Sequence, residues 1–253
     1  MTMIKRISTF IFTAFAITLI AGSSAFAQKA PEFSNDLMMD DKTYAFLMTD
    51  KLEYRSMDGT NPLMWDIKGY IGNDMGKFWF KSHGEAVPVE SEAHMEFQGL
   101  YGRTISPYLD LVGGIRYDLA YEDHNKSRGF ATVGLQGKAP YFIHFESGIY
   151  VSEAGNLSAD LEAEYDLLLT QRLIGQPIVE ASVAAQDVPE WEIGAGLNNI
   201  GLGFRLRYEF AREFAPYIGI NWERKLGETA DMARHGGGHV SNLSLLGGVR
   251  MWF

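Results

Sequence analysis

A closed, antiparallel, up-and-down transmembrane β-barrel of about twelve strands is the fold class this all-β sequence predicts. Three observations lead there. A positively charged, apolar, small-residue leader opens the chain. Apolar and polar residues then alternate with period two almost to the last residue. The final strand stops on an aromatic, Phe253.

The leader comes first. Lys5 and Arg6 precede an apolar run from Phe10 to Ala21, and Ala25-Phe26-Ala27 supplies small residues around a cleavage point. That order is the pattern of a secretory signal. The run is short for a helix that must cross about 30 Å of hydrocarbon. Residues 1–27 are therefore expected to be a signal peptide. Residues 28–42 show no period, carry Pro31, Asn35 and Asp40-Asp41, and are expected to form a flexible periplasmic segment. The barrel is expected over residues 43–253.

Alternation marks the strands in order, because successive side chains on a strand point to opposite faces. Tyr44, Phe46, Met48, Leu52 and Tyr54 share the first apolar face. Trp65, Ile67, Gly69 and Ile71 oppose Asp66, Lys68 and Tyr70, and Phe78 and Phe80 oppose Trp79, Lys81 and His83. Ala93, Met95, Phe97 and Tyr101 oppose Glu92, His94, Glu96 and Gln98. Leu109, Leu111, Ile115 and Tyr117 oppose Asp110 and Arg116, and Ala131, Val133 and Leu135 oppose Thr132 and Gln136. Ile143, Phe145 and Ile149 oppose His144 and Glu146. Ala159, Leu161, Ala163, Tyr165 and Leu167 oppose four acids, Asp160, Glu162, Glu164 and Asp166. Val179, Ala181 and Val183 oppose Glu180 and Ser182, and Leu202, Phe204, Leu206 and Tyr208 oppose Arg205, Arg207 and Glu209. Ile218, Ile220 and Trp222 oppose Asn221 and Glu223. The last strand sets Leu243, Leu245, Gly247, Val249 and Met251 against Ser244, Leu246, Gly248, Arg250 and Trp252.

A soluble β-sandwich or lipocalin-like barrel would share this alternation but turn its apolar face inward. So many charges on the other face suit a wet lumen instead. The connections alternate in length, short at Gly72-Asn73-Asp74-Met75-Gly76, Ser106-Pro107 and Lys138-Ala139-Pro140, and mostly longer between. Short periplasmic turns and long external loops are what a barrel with both ends inside shows. The terminal aromatic resembles the signal read by the outer-membrane barrel-assembly machinery. Localisation in an outer membrane, in contact with its lipid, follows.

Composition narrows the function. The chain has no Cys, which excludes disulfides, thiolate metal sites and Cys nucleophiles. Its formal charge is −10, and loss of a leader carrying Lys5 and Arg6 makes it more acidic still. An acidic chain is a poor nucleic-acid binder and suits cations. No enzyme is expected: His144 and Ser147 lie on opposite strand faces, so they cannot act as base and nucleophile.

Several blocks carry a family resemblance: Phe78-Trp79-Phe80-Lys81, Gly134-Leu135-Gln136-Gly137-Lys138-Ala139-Pro140-Tyr141, the run from Ala163 to Ile174, Arg205-Leu206-Arg207-Tyr208-Glu209, and Arg212-Glu213-Phe214-Ala215-Pro216-Tyr217 with Trp222-Glu223-Arg224-Lys225-Leu226-Gly227. Over residues 65–253 the chain resembles the copper resistance protein B family of outer-membrane proteins. The resemblance implies a role in tolerating copper, with copper as bound or transported ion and a periplasmic multicopper oxidase as partner. It also implies an N-terminal tail of Met and His repeats. Between residues 28 and 63 this sequence has only Met38, Met39, Met48 and Met57, and it has no His before His83.

Candidate metal ligands follow from chemistry. Copper(II) favours imidazole and carboxylate, copper(I) thioether and imidazole. On the polar face stand Glu92, His94 and Glu96 from one strand, His144 and Glu146 from another, Glu164 from a third, and His83 near a strand end. The competing reading is an internal salt-bridge network in which Lys68, Lys81, Arg116, Arg205 and Arg207 neutralise these acids. A second candidate is the last external loop, with Met232, His235 and His239, and a third is Met38-Met39 beside Asp40-Asp41. A general cation pore or a purely structural barrel are the alternatives to a copper protein.

Overall fold

The computed structural model describes residues 42–57, 61–87, 92–121 and 126–253. The expected leader, the expected N-terminal segment up to residue 41, and the Met38-Met39 candidate lie outside the described residues.

The strands are β1 (Tyr44–Ser56), β2 (Leu63–Gly72), β3 (Gly76–Val87), β4 (Glu92–Ser106), β5 (Leu109–Tyr121), β6 (Lys126–Ala139), β7 (Ile143–Ser152), β8 (Leu157–Glu164), β9 (Leu167–Leu168), β10 (Leu173–Ala184), β11 (Gly196–Tyr208), β12 (Phe214–Lys225) and β13 (Ser241–Trp252). Twelve of them are long. The two-residue β9 resumes the line of β8 beside β10. Every pairing is antiparallel between sequence neighbours, and β13 pairs with β1 to close the ring. Closure leaves no free sheet edge, which the hydrocarbon of a bilayer requires because it offers backbone groups no partners. The amide and carbonyl of Leu47 exchange hydrogen bonds with Phe253 at 3.2 and 2.8 Å, so Phe253 seals the seam.

The orientation of the apolar face separates the two barrel classes. Phe78, Ile115, Ile149, Ile218, Leu243 and Leu245 are each at least half exposed. Lys51, Glu53, Arg55, Arg205 and Arg207 are buried. The barrel is apolar outside and charged inside, the reverse of a soluble barrel. Among the described residues, no helix is long and apolar enough to cross a membrane. On the outer face the Trp65 ring lies across Gly84 of β3, where a Cβ would stand 2.2 Å from it.

The strand faces follow the sequence pattern except in β1. Thr49 pairs with Ile67 and Lys51 with Asp66, so Asp50 is an inserted residue, a β-bulge. The insertion reverses the parity of the strand. Phe46, Met48 and Asp50 line the lumen on one side of it, and Lys51, Glu53 and Arg55 are buried inside beyond it. The expected common face of Phe46, Met48, Leu52 and Tyr54 is therefore divided, with Tyr54 exposed outside. The physical reason is Asp50 itself, which a strict alternation would place on the lipid side with Leu52.

The short turns gather at the end holding Tyr44 and Trp252. At one of them the Asn73 side-chain oxygen accepts hydrogen bonds from the amides of Met75 and Gly76 at 3.1 and 2.9 Å, a turn that fixes its own backbone. The eighth expected strand is interrupted at Tyr165 and Asp166, where the Asp166 carboxylate turns to Arg207 at 3.2 Å. At the opposite end the connection after β12 is not an open loop. It holds a helix, α1 (Gly227–His235), with Thr229, Ala230 and Ala233 buried. The Thr229 hydroxyl accepts from the Gly194 amide at 2.9 Å, and the Leu226 amide donates to the Asn198 carbonyl at 2.8 Å. The helix and the β10–β11 connection thus form one cap over the loop end.

A cation on the apolar outside should be costly. Ile115→Arg, near the middle of β5 and 70% exposed, is expected to destabilise the barrel by about 2–4 kcal/mol. Urea-dependent folding into lipid vesicles, followed by Trp fluorescence, checks this.

Candidate metal path in the lumen

Charge density sets the geometry of the lumen. Glu53 has no exposed surface. Its carboxylate contacts Arg55 at 2.7 Å and Arg205 at 3.0 Å and accepts from the Tyr217 hydroxyl at 3.1 Å. Arg55 reaches on to Glu223 at 2.5 Å. Two other groups extend from the bulge. Asp50 meets Lys68 at 3.3 Å and Arg250 at 2.9 Å. Lys51 crosses to Glu162 of β8 at 2.9 Å and Glu180 of β10 at 3.2 Å. Lys68 continues to Glu146 of β7 at 3.0 Å, and Lys81 meets the same carboxylate at 2.6 Å. Buried charge of this density is tolerable only when paired. Gly248 makes room for it: a Cβ there would stand 2.8 Å from both Glu53 and the Tyr217 ring.

These pairs divide the lumen into cavities. The one at the loop end holds about 770 Å³, the one at the short-turn end about 930 Å³, and spaces of about 300 and 190 Å³ lie between. The expected ligands distribute along them. Glu92, His94 and His239 face the loop-end cavity. His83 faces both middle spaces, one of which also holds Glu96 and Asp66. His144 and Glu164 face the short-turn cavity, and Glu146 borders both that cavity and the middle.

Register explains the grouping. Neighbouring strands set Asp66, His83 and Glu96 side by side, and Glu85 beside His94. His144 is directly opposite Glu164. Most of the acids already have partners. Glu96 meets Arg116 at 2.7 Å and accepts from the Gln98 amide. Glu164 accepts from Gln176 at 2.8 Å. The salt-bridge network expected from Lys68, Lys81, Arg116, Arg205 and Arg207 is present. Among the described residues no three His, Asp or Glu side chains converge as a ready-made metal cage.

The second candidate does not stay together. Helix α1 carries Met232 and His235, and the His235 ring nitrogen lies 2.7 Å from the Asp231 carbonyl at the exposed helix end. Only His239 reaches the loop-end cavity. Sequence reasoning missed Asp50, Lys51, Glu53 and Arg55 as lumenal groups. The available signal was Asp50 sharing the phase of Leu52, which a lipid-facing strand forbids.

Comparison with known proteins bears on this architecture. A profile of the copper resistance protein B precursor family matches residues 43–253. The chain belongs to the copper resistance protein B family. It is 43% identical over 207 residues to copper resistance protein B of Escherichia coli, covering 82% of this chain and 69% of that one. It is 37% identical over 214 residues to a copper resistance protein B homolog of Pseudomonas syringae pv. tomato, covering 85% and 71%. Among solved structures, the KdgM porin matches with a TM-score of 0.51 at 10% identity, over 81% of this chain and 98% of the porin. That likeness is one of fold, and this copper resistance B chain is an outer-membrane barrel.

Removing one member of the buried network should expose its cost. Glu53→Gln leaves Arg55 and Arg205 without their shared counter-charge and is expected to destabilise the barrel by about 3–5 kcal/mol. Unfolding in urea, read by the loss of heat-modifiable gel mobility, measures it.

Proposed function

We propose that this barrel confers copper tolerance by binding copper ions in its lumen and passing them across the outer membrane. The observation that carries the proposal is the placement of the histidines: His94, His83 and His144 face successive cavities from the loop end to the short-turn end. Each has carboxylates in the same cavity, a donor combination that suits copper(II). Met64 shares a middle space with His83, and Met48 and Met75 share the short-turn cavity with His144, so thioethers are at hand for copper(I). The family membership supplies the link to copper.

In this reading the chain needs no catalytic step of its own. Residues 1–27 act as a leader that is cleaved on export, residues 28–42 lie in the periplasm, and the barrel-assembly machinery recognises the strand ending at Phe253. A periplasmic multicopper oxidase receives or delivers the ion at the short-turn mouth. The scarcity of Met and His between residues 28 and 63 supports metal handling by the barrel rather than by a tail. The alternative, a general cation-conducting or structural barrel, needs no preference among metals.

Trp191 borders the cavity of His94 and Trp79 that of His144, which provides an optical readout. Copper(II) is expected to quench the fluorescence of purified, detergent-folded protein, and His94→Ala/His144→Ala is expected to remove most of that quenching. Equal responses to copper, zinc and magnesium would favour the general cation barrel. Periplasmic and total copper, measured in cells with and without the gene, give the direction of movement.

A further inference from the structure

We infer that the lumen is barred at two heights by ion-pair septa, and that the lower one, Glu146 held by Lys68 and Lys81, is a movable filter that stops ordinary cations. A side chain that borders two cavities stands between them. Glu146, Glu162 and Gln136 border both the short-turn cavity and the middle space. Arg116, Tyr150 and Asp160 border both the middle space and the loop-end cavity.

The lower septum spans the barrel rather than lining its wall. Glu146 comes from β7, while Lys68 and Lys81 come from β2 and β3, and they meet at 3.0 and 2.6 Å. Lys51 adds a second bar from β1 to Glu162 and Glu180. In the upper septum, Arg116 bridges Glu96 and Asp118, each at 2.7 Å, and approaches Asp160 at 3.8 Å. Its guanidinium lies 4.6 Å from the Tyr150 ring centroid and 5.2 Å from that of Phe130.

The two septa differ in kind. A planar guanidinium lying against two rings and forked onto several carboxylates is held in place. An ammonium is a point charge on a flexible four-carbon stem and can swing away. The lower septum is therefore the one that opens. Its carboxylate is 40% exposed while its lysines are 13 and 14% exposed, so an arriving cation meets Glu146 before it meets the ammonium groups. Potassium or magnesium offers Glu146 only what the tethered ammonium groups already supply. An ion that also binds imidazole gains His83 above the septum and His144 below it. Lys68 and Lys81 are thus specificity-determining residues, acting as resident cations that a weaker competitor cannot displace. The choice of ion rests on the copper reading above, whereas closure to potassium is independent of it.

Planar-bilayer conductance in potassium chloride tests the closure without any copper. The wild-type barrel is expected to carry almost no current. Lys68→Met/Lys81→Met/Arg116→Met, which releases both septa, is expected to raise conductance about tenfold or more with cation selectivity, because Glu146 then lacks its resident cations. Arg116→Met alone should stay closed, since the lower septum remains. Heat-modifiable gel mobility establishes that each variant has folded. A steady potassium current through the wild-type protein overturns the proposal even if no variant folds. A folded triple variant that remains closed, or an Arg116→Met barrel that opens, also overturns it.

Discussion

A carboxylate with no exposed surface, Glu53, needs positive charge beside it wherever the chain goes, and the interior of the barrel is organised to satisfy that need. Lipid excludes charge from the middle of the outer face, so most ionised groups on the strands are pressed into one narrow lumen. Once there, an acid without a base would be intolerable, and so would a base without an acid. Arg55, Arg205 and Tyr217 converge on Glu53 from β1, β11 and β12. The requirement propagates, because Arg55 and Arg205 are themselves buried and Arg55 draws in Glu223. What results is a lumen divided by paired side chains into separate cavities.

The bulge in β1 is the device that makes this possible. Without it, one strand would alternate evenly and place one charge in two residues on the lumen. The inserted Asp50 turns both itself and Lys51 inward, one toward Lys68 and Arg250, the other toward Glu162 and Glu180. One local irregularity thereby links β1 to β2, β13, β8 and β10. Glycine is the complement to this crowding. Gly248 supplies the space occupied by Glu53 and Tyr217, and an alanine methyl there would collide with both.

Most of this architecture was legible in the residue order, and the exceptions have identifiable causes. Strand faces are read by parity, and from β2 to β13 parity breaks only near strand ends, at Thr104/Ser106 and Leu197/Asn199, so Glu92, His94, His144 and Glu146 were assignable to the lumen from the sequence. In β1 parity fails because an insertion changes it, although Asp50 in the phase of Leu52 was a sign of conflict. Helix α1 was not legible, since a short polar segment beginning at Gly227 owes its helix to the β10–β11 connection it packs on. Pairings such as Lys81 with Glu146 were beyond the sequence for a different reason. They join strands that are not neighbours, and which side chains meet across a barrel depends on its stagger and closure.

The same closure gives the histidines their meaning. A His and a carboxylate two residues apart on one strand look like half of a metal site, yet Glu96 is already taken by Arg116 and Glu146 by two lysines. Their pairing does not remove them from metal chemistry. On the copper-passage reading proposed above, it converts a strong static site into a series of exchangeable ones, because any ion entering must replace a tethered cation and is replaced by it on leaving. Conduction through a pore needs sites that bind well enough to be entered and weakly enough to be left. A lumen in which most acids are loaded with lysine and arginine, with an imidazole in each successive cavity, meets that requirement. An unneutralised file of carboxylates would hold a divalent ion too firmly to release it.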